Sequence, residues 1–140
     1  MSLAESRSRR GATIVRCTEE VPARARRDYW NDTISVPFPG LAVDWPTDRP
    51  IHARLESRPF ADLRVTEIVN TLGRADYAPS SSGATNEYLL VLELADGERY
   101  THAGHEVVQR SNDLILLDTA RPFKAEFPRG LHILVWHLPR

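Results

Sequence analysis

The 140-residue sequence contains a single cysteine, Cys17. One thiol excludes an internal disulfide framework and a cysteine-built zinc site. A chain without disulfides is read as belonging to a reducing, cytoplasmic setting. Long apolar runs are missing as well. Stretches such as Leu89–Leu92 fall far short of the roughly 20 residues that a membrane-spanning helix needs. No apolar stretch follows the early arginines, so no secretory signal is read there. A net charge of −1 excludes bulk electrostatics as a means of holding nucleic acid. The phosphate-cradling glycine loops and the G-x-S-x-G nucleophile turn are absent. The acid pairs Asp62/Glu67 and Asp113/Asp118 read as turn and strand-end residues rather than an acid–base dyad, and no residue is assigned a catalytic role.

What remains is an ordinary globular composition, 41% hydrophobic and 26% charged. The length fits one domain. Charge is unevenly spread: residues 1–27 hold seven arginines against three glutamates, for +4, and the remainder carries −5. The basic end admits two readings, a nucleic-acid arm or a solvated tail followed by a solvated helix face. The lack of interleaved aromatics favours the second. Residues 1–18 are read as a flexible basic arm and 19–140 as the folded domain. Ala78–Thr85, rich in serine, reads as a flexible loop.

Pro22 suits a first helical turn, where its missing N–H is not needed. Trp30 and Ile34 lie four apart, and Pro37, Pro39 and Gly40 stop the pattern, which predicts a helix over about 22–35. Beyond it, short segments rich in β-branched and aromatic residues alternate with Gly, Pro, Asp and Asn. They predict strands at 41–45, 51–58, 62–70, 87–95, 98–102, 105–109, 113–118, 122–127 and 131–138, with a short edge strand at 13–16. The class is mainly β, a sandwich or barrel.

Period two assigns the faces. Tyr88, Leu90, Leu92 and Leu94 are expected to point inward, because Glu93 marks the opposite face as the wetter one. Glu67 shares a face with Leu63, Val65 and Val69, so its carboxylate requires a partner or a cavity. His137 shares a face with Leu131, Ile133 and Val135 and reads as a partnered core or rim histidine. His102 and His105 flank Ala103-Gly104, a two-residue hairpin turn that sets the imidazoles opposite each other. Two histidines are short of the three or four ligands that a first-row metal needs, and no metal is assigned.

Over residues 87–140 the order becomes specific. The strand Tyr88–Leu94 ends in a turn, a hairpin closes on Gly104, and the segment Asp113-Leu-Ile-Leu-Leu-Asp118-Thr119-Ala-Arg121-Pro122-Phe123 precedes a last strand ending Leu138-Pro139-Arg140. This order resembles the N-terminal effector-binding domain of AraC/XylS-type transcriptional regulators. The helix with Tyr29-Trp30 and the stretch Phe60–Arg64 extend the resemblance to about residue 22. Ser111-Asn112 stands where the family has Pro-Gly, and Asn tolerates the left-handed backbone that the turn needs. The His and Glu spacing of metal-dependent cupin enzymes is absent.

The resemblance implies a cupin-like jelly-roll β-barrel with a short N-terminal helix. It implies a ligand-sensing domain that is not an enzyme and needs no cofactor, with a small-molecule effector inside the barrel. Tyr88, Leu90, Leu92, Glu67 and Trp136 are the expected ligand-binding residues, around a cavity of roughly 300 Å³ or more. It further implies that dimerisation helices and a helix-turn-helix module lie beyond Arg140, in a regulator about twice as long. DNA would be bound only through that module. The whole regulator would be a homodimer, this piece mainly a monomer, and no membrane would be involved. Two other classes stay open: a small metal-dependent cupin enzyme using His102, His105 and a third ligand, and a protein-interaction module without a small ligand.

Overall fold

The computed structural model describes residues 12–79 and 87–140. Most of the arm and most of the serine-rich loop therefore lie outside the described residues. The described residues form eleven strands and one α-helix, in chain order β1 (Ile14–Cys17), α1 (Arg26–Ile34), β2 (Leu41–Asp44), β3 (Ala53–Phe60), β4 (Leu63–Asn70), β5 (Gly73–Tyr77), β6 (Glu87–Glu93), β7 (Glu98–His102), β8 (His105–Gln109), β9 (Leu114–Asp118), β10 (Phe123–Phe127) and β11 (Leu131–Pro139). All named pairings are antiparallel.

The strands form two sheets, in the orders β1-β3-β4-β11-β6-β9 and β2-β5-β10-β7-β8. Their inner faces share one core, with Leu55, Ile68, Val91 and Val135 from the first sheet against Val43, Tyr100, Phe123 and Phe127 from the second. The expected jelly-roll barrel is corrected here. Closing a barrel requires the end strands to pair with a continuous stagger, yet β1 and β9 remain edges of one sheet and β2 and β8 edges of the other. The architecture is an open two-sheet sandwich. The first sheet begins at Ile14, inside the stretch assigned to the arm, because β1 pairs with β3 from Ile14↔Ser57 to Cys17↔Arg54.

The expected helix at 22–35 is shorter. Two 3₁₀ turns, Thr18–Glu20 and Ala23–Ala25, precede α1. Pro22 lies outside the helix with φ −60° and ψ 154°, accepting a bond from Ala25 N–H at 2.9 Å. Trp30 and Ile34 are the residues that α1 buries, as their spacing predicts. Asn31 ties the helix to β2. Its Oδ1 accepts from Val43 N–H at 2.7 Å and its Nδ2 donates to the Val43 carbonyl at 3.0 Å, in the manner of an adjacent strand.

The sequence pattern missed β5. Gly-Arg-Ala-Asp-Tyr has no β-branched residue, and its alternation rests on two residues only, Ala75 and Tyr77. Gly73 is fixed by close approach: a Cβ there would stand 2.6 Å from the Asp44 carbonyl oxygen.

Candidate functional site

Two spaces lie beside this core. The first is a cavity of about 60 Å³ between the sheets, bordered by Trp30, Phe38, Leu89, Val91, Glu98 and Tyr100 among others. That volume falls well short of the roughly 300 Å³ expected for a drug-sized ligand. The second is an outer cleft of about 1240 Å³ between α1, β1, the β3–β4 hairpin and the ends of β6 and β11. Arg16, Tyr29, Asp32, Arg64, Glu87 and His137 face this cleft.

His137 is the floor of the cleft. Its Nδ1 lies 3.1 Å from Glu87 Oε1 and its Nε2 3.2 Å from Thr66 Oγ1. Its ring stacks on Phe38, with centroids 4.9 Å apart. Thr66 and Ser57 are buried, and Arg64 donates to the Ser57 hydroxyl at 3.2 Å and to the Ser57 carbonyl at 3.1 Å. His137 is therefore the partnered rim histidine that its neighbours predict. Glu87 and Phe38 were not legible as its partners, since they come from distant points of the chain.

At the other end of the sandwich lies an acidic corner that sequence reasoning missed. Glu93 and Glu98 are 1% and 2% exposed and Gln109 is fully buried. Burial holds the Glu98 carboxyl in its protonated form, with its pKa pushed up to about 10, and the facing Glu93 reinforces the shift. Burial likewise drives Tyr100 well above its ordinary value. The protonated Glu98 carboxyl stands within hydrogen-bond reach of Glu93 and Tyr100, whereas Gln109 Oε1 and Trp30 Nε1 have no hydrogen-bond partner among the described residues. One signal was available: Glu98 alternates with Tyr100 and so shares its face.

The five expected ligand residues come together, but on the wrong side. The inner face of β6 is Leu89, Val91 and Glu93, while Tyr88, Leu90 and Leu92 are half-buried on the outer face. The face assignment of β6 is thus corrected. Its near-continuous apolar run gives no period-two signal, and the one charge used as a marker, Glu93, is held inside, accepting from Ala95 N–H at 3.1 Å. On β4 the inner residues are Thr66, Ile68 and Asn70. Glu67 faces outward and pairs with His132 at 2.7 Å. It has the partner its burial requires, but the inward acceptor expected of it is withdrawn. Trp136 stands opposite Val65 on one side and Leu90 on the other, and meets Phe60 edge-on at 6.3 Å. Tyr88 carries the Arg140 guanidinium over its ring at 4.6 Å, and Arg140 also pairs with Asp118.

The predicted hairpin turn is present, with Ala103 and Gly104 both at positive φ and His102 opposite His105. His102 is tied to the backbone: its Nε2 lies 3.3 Å from Asp118 N–H. Burial, with a smaller contribution from the Arg121 charge, lowers its pKa. His105 is exposed. Among the described residues no group of three or more His, Cys, Asp or Glu could hold a metal ion. Asn112 takes φ 71°, the left-handed backbone expected of it. No helix among the described residues is long and apolar enough to cross a membrane.

Residues 30–140 match the model of the AraC-binding-like domain. The chain belongs to that family. The family resemblance of the 87–140 segment therefore holds, and it reaches back to the Trp30 helix. No curated protein matches the chain by sequence. Among solved structures, this AraC-binding-like domain is similar to the AraC-like transcriptional activator CuxR, with a TM-score of 0.76 and 10% identity, over 91% of this chain and 47% of that one. The chain thus spans about half the length of CuxR. An ethanolamine utilization protein Q from Salmonella typhimurium LT2 aligns with a TM-score of 0.51 at 8% identity, over 66% of this chain and 72% of its own. An HTH_3 family transcriptional regulator from Vibrio cholerae aligns with a TM-score of 0.51 at 14% identity, over 63% of this chain and 52% of its own. At these identities the likeness is one of fold.

Proposed function

We propose that this AraC-binding-like domain is the sensing part of a transcription regulator and takes a small-molecule effector in the outer cleft, against His137 and Glu87. The observation that carries the reading is size combined with chemistry. The cleft, at about 1240 Å³, exceeds what a drug-sized ligand fills, and a half-buried imidazole–carboxylate pair sits at its floor. Such a domain needs only a difference in effector affinity between two states of the regulator. DNA recognition and dimerisation are assigned to other parts of a longer protein, with this chain mainly a monomer. The test is a thermal-shift screen of small metabolites against the wild-type chain and the His137→Asn and Glu87→Gln variants. Ligands that raise the wild-type midpoint and lose at least half that rise in both variants support the cleft. Ligands whose shift is unchanged in both overturn it. Sequence-specific retention of DNA by this chain alone in a gel shift would overturn the division of labour.

A second reading, a protein-contact module, has an observation of its own. Leu114 and Leu116 are 57% and 54% exposed and continue the apolar outer face of Leu90, Leu92 and Trp136. The charges bordering that face pair among themselves, Glu67 with His132 and Arg140 with Asp118, so an identical face is an electrostatically acceptable partner. Sedimentation at micromolar concentration separates the two readings. A dimer that Leu116→Lys dissolves makes a second copy the occupant, and a monomer leaves the sensor reading alone.

A further inference from the structure

The two sheets end in four edge strands, β1 and β9 on one, β2 and β8 on the other. An edge strand offers unpaired backbone groups, and proteins ordinarily guard it with charge, proline or a covering element. Asn31 covers β2 through its bonds to the Val43 backbone. β1 carries Arg16 and β8 carries Glu106. β9 is guarded by neither means. Leu114-Ile115-Leu116-Leu117 has no charge and no proline, and Leu114 and Leu116 are more than half exposed.

The backbone of this edge can be followed position by position. Glu93 N–H donates to the Asp113 carbonyl at 3.0 Å, and Thr119 N–H to the Glu87 carbonyl at 3.2 Å. Bonded pairs alternate along an antiparallel ladder, and the register sets Val91 opposite Ile115 and Leu89 opposite Leu117. Ile115 and Leu117 therefore turn their backbone groups toward β6, and those of Leu114, Leu116 and Asp118 point off the edge. Asp118 is covered, because His102 Nε2 stands 3.3 Å from both its backbone nitrogen and its carbonyl oxygen. Leu114 and Leu116 each present an N–H and a C=O, symmetrically about Ile115.

This arrangement is its own complement. An identical strand related by a two-fold axis at Ile115 sets Leu114 opposite the partner subunit's Leu116, and Leu116 opposite the partner subunit's Leu114. Each such pair exchanges both N–H···O=C bonds. Ile115 meets the partner subunit's Ile115, so the side chains paired across the axis are all apolar. An axis at Leu116 would instead set Leu114 against an Asp118 whose backbone His102 already covers. The acids that bound the strand are engaged within their own chain. Asp113 accepts from Arg110 N–H at 2.9 Å, and Asp118 accepts from Ala120 N–H at 2.9 Å and pairs with Arg140. They bring no unpaired charge to the axis.

We infer that two copies of this chain join edge to edge through β9, antiparallel and centred on Ile115, so that their six-stranded sheets become continuous. The inference rests on the second reading above, that a second copy is the partner, and specifies how the copies join. No residue bordering the outer cleft lies on β8 or β9, so the cleft stays open in the pair.

The test is sedimentation of the whole chain over a micromolar concentration series, with amide hydrogen exchange read residue by residue. The expected result is a concentration-dependent dimer in which the Leu114 and Leu116 amides gain protection. Leu116→Pro removes an N–H that points off the edge, a position where proline is tolerated. The symmetric dimer loses that bond twice, and should weaken by roughly tenfold or more. Trp136→Lys, on the outer face two strands in from the edge, should leave the dimer in place. Cross-linking serves if Leu116→Pro does not fold. In a Cys17→Ser background with oxidised glutathione, Ile115→Cys should form a disulfide between the copies, because a non-hydrogen-bonded pair brings Cα atoms to about 4.5 Å. Leu116→Cys should not, since its symmetry mate lies two residues along the strand and beyond disulfide reach. A chain that stays monomeric overturns the edge pairing and the second reading together. A dimer that survives Leu116→Pro, or that Trp136→Lys dissolves, keeps the second copy as partner and overturns the edge. So does a cross-link through Leu116→Cys in place of Ile115→Cys.

Discussion

Phe38 and His137 form one wall with two sides. Their rings are stacked, 27° from parallel. Phe38 borders the inter-sheet cavity, and His137 borders the outer cleft. His137 is held in its plane by Glu87 and Thr66, so Phe38 packs against a fixed surface. The pair keeps a wet cleft and a dry cavity apart.

Phe38→Ala should therefore merge the two spaces. The expected cost is about 3–5 kcal/mol, the usual range for an aromatic removed from a core. Phe38→Leu, which keeps most of the partition, should cost far less. Urea denaturation checks both, and a Phe38→Ala cost under about 1 kcal/mol would show that the wall is not packed.

The faces of β6 and β9 can be read out in the same way. Leu89 is 4% exposed and belongs to the core, whereas Leu116 is 54% exposed on the outer face. Leu89→Ala should cost about 2–5 kcal/mol, and Leu116→Ala should stay within about 0.5 kcal/mol. A larger cost at Leu116, which stands opposite Leu90, than at Leu89 would return β6 to the orientation that the sequence suggested.

That orientation shows where legibility ended. Turn chemistry was readable because backbone demands are local: Ala103-Gly104 and Asn112 adopt the positive φ values that their hairpins need. Helix α1 was readable from Trp30 and Ile34, which face the core four residues apart. The facing of β6 was not, because Leu89, Leu90, Val91 and Leu92 are interchangeable by hydropathy and the deciding residue, Glu93, is an acid held inside, its Oε1 accepting from Ala95 N–H in the following turn. The open sandwich was likewise hidden. Strands of the same lengths and patterns serve an open or a closed sheet, and pairing between end strands decides. The cleft needs Glu87, Thr66 and Phe38 around His137, residues scattered over 100 positions of the chain from 38 to 137, and no local spacing announces such a meeting.

Glu98 carries a pH dependence whose sign can be worked out. Its ordinary pKa is 4.5, and burial raises it to about 10 in the folded protein. Between those values the folded state keeps a proton that the unfolded chain has released. Stability from this group is therefore full below about 4.5 and is lost as pH rises toward 10, by at most about 1.4 kcal/mol per pH unit. Glu98→Gln keeps the shape and removes the proton. Urea midpoints from about pH 6 to about pH 8 should show the wild type losing roughly 2–3 kcal/mol relative to Glu98→Gln. A difference that stays flat with pH would mean that Glu98 ionises freely and is not buried.

The last prediction concerns two turns whose backbones make the same demand, a positive φ, of different residues. Ala61, in the β3–β4 turn at the rim of the cleft, has φ 54°, a left-handed conformation that a Cβ disfavours. Such a conformation costs about 1–2 kcal/mol for a residue other than glycine. Ala61→Gly relieves that strain but loosens the unfolded chain by about 0.5–1 kcal/mol. The net effect should be a stabilisation of up to about 1 kcal/mol, read as a rise of a few degrees in the melting midpoint. Gly97, in the turn between the two buried glutamates, has φ 88°, and a Cβ there would meet nothing within 4 Å. Gly97→Ala therefore introduces backbone strain with no clash, and should destabilise by about 1 kcal/mol. Opposite signs for the two substitutions would establish that backbone conformation, rather than side-chain contact, sets the residue at each turn. A stabilising Gly97→Ala would mean that the turn relaxes out of the left-handed region, and the acidic corner it closes would then be less rigid than its hydrogen bonds indicate.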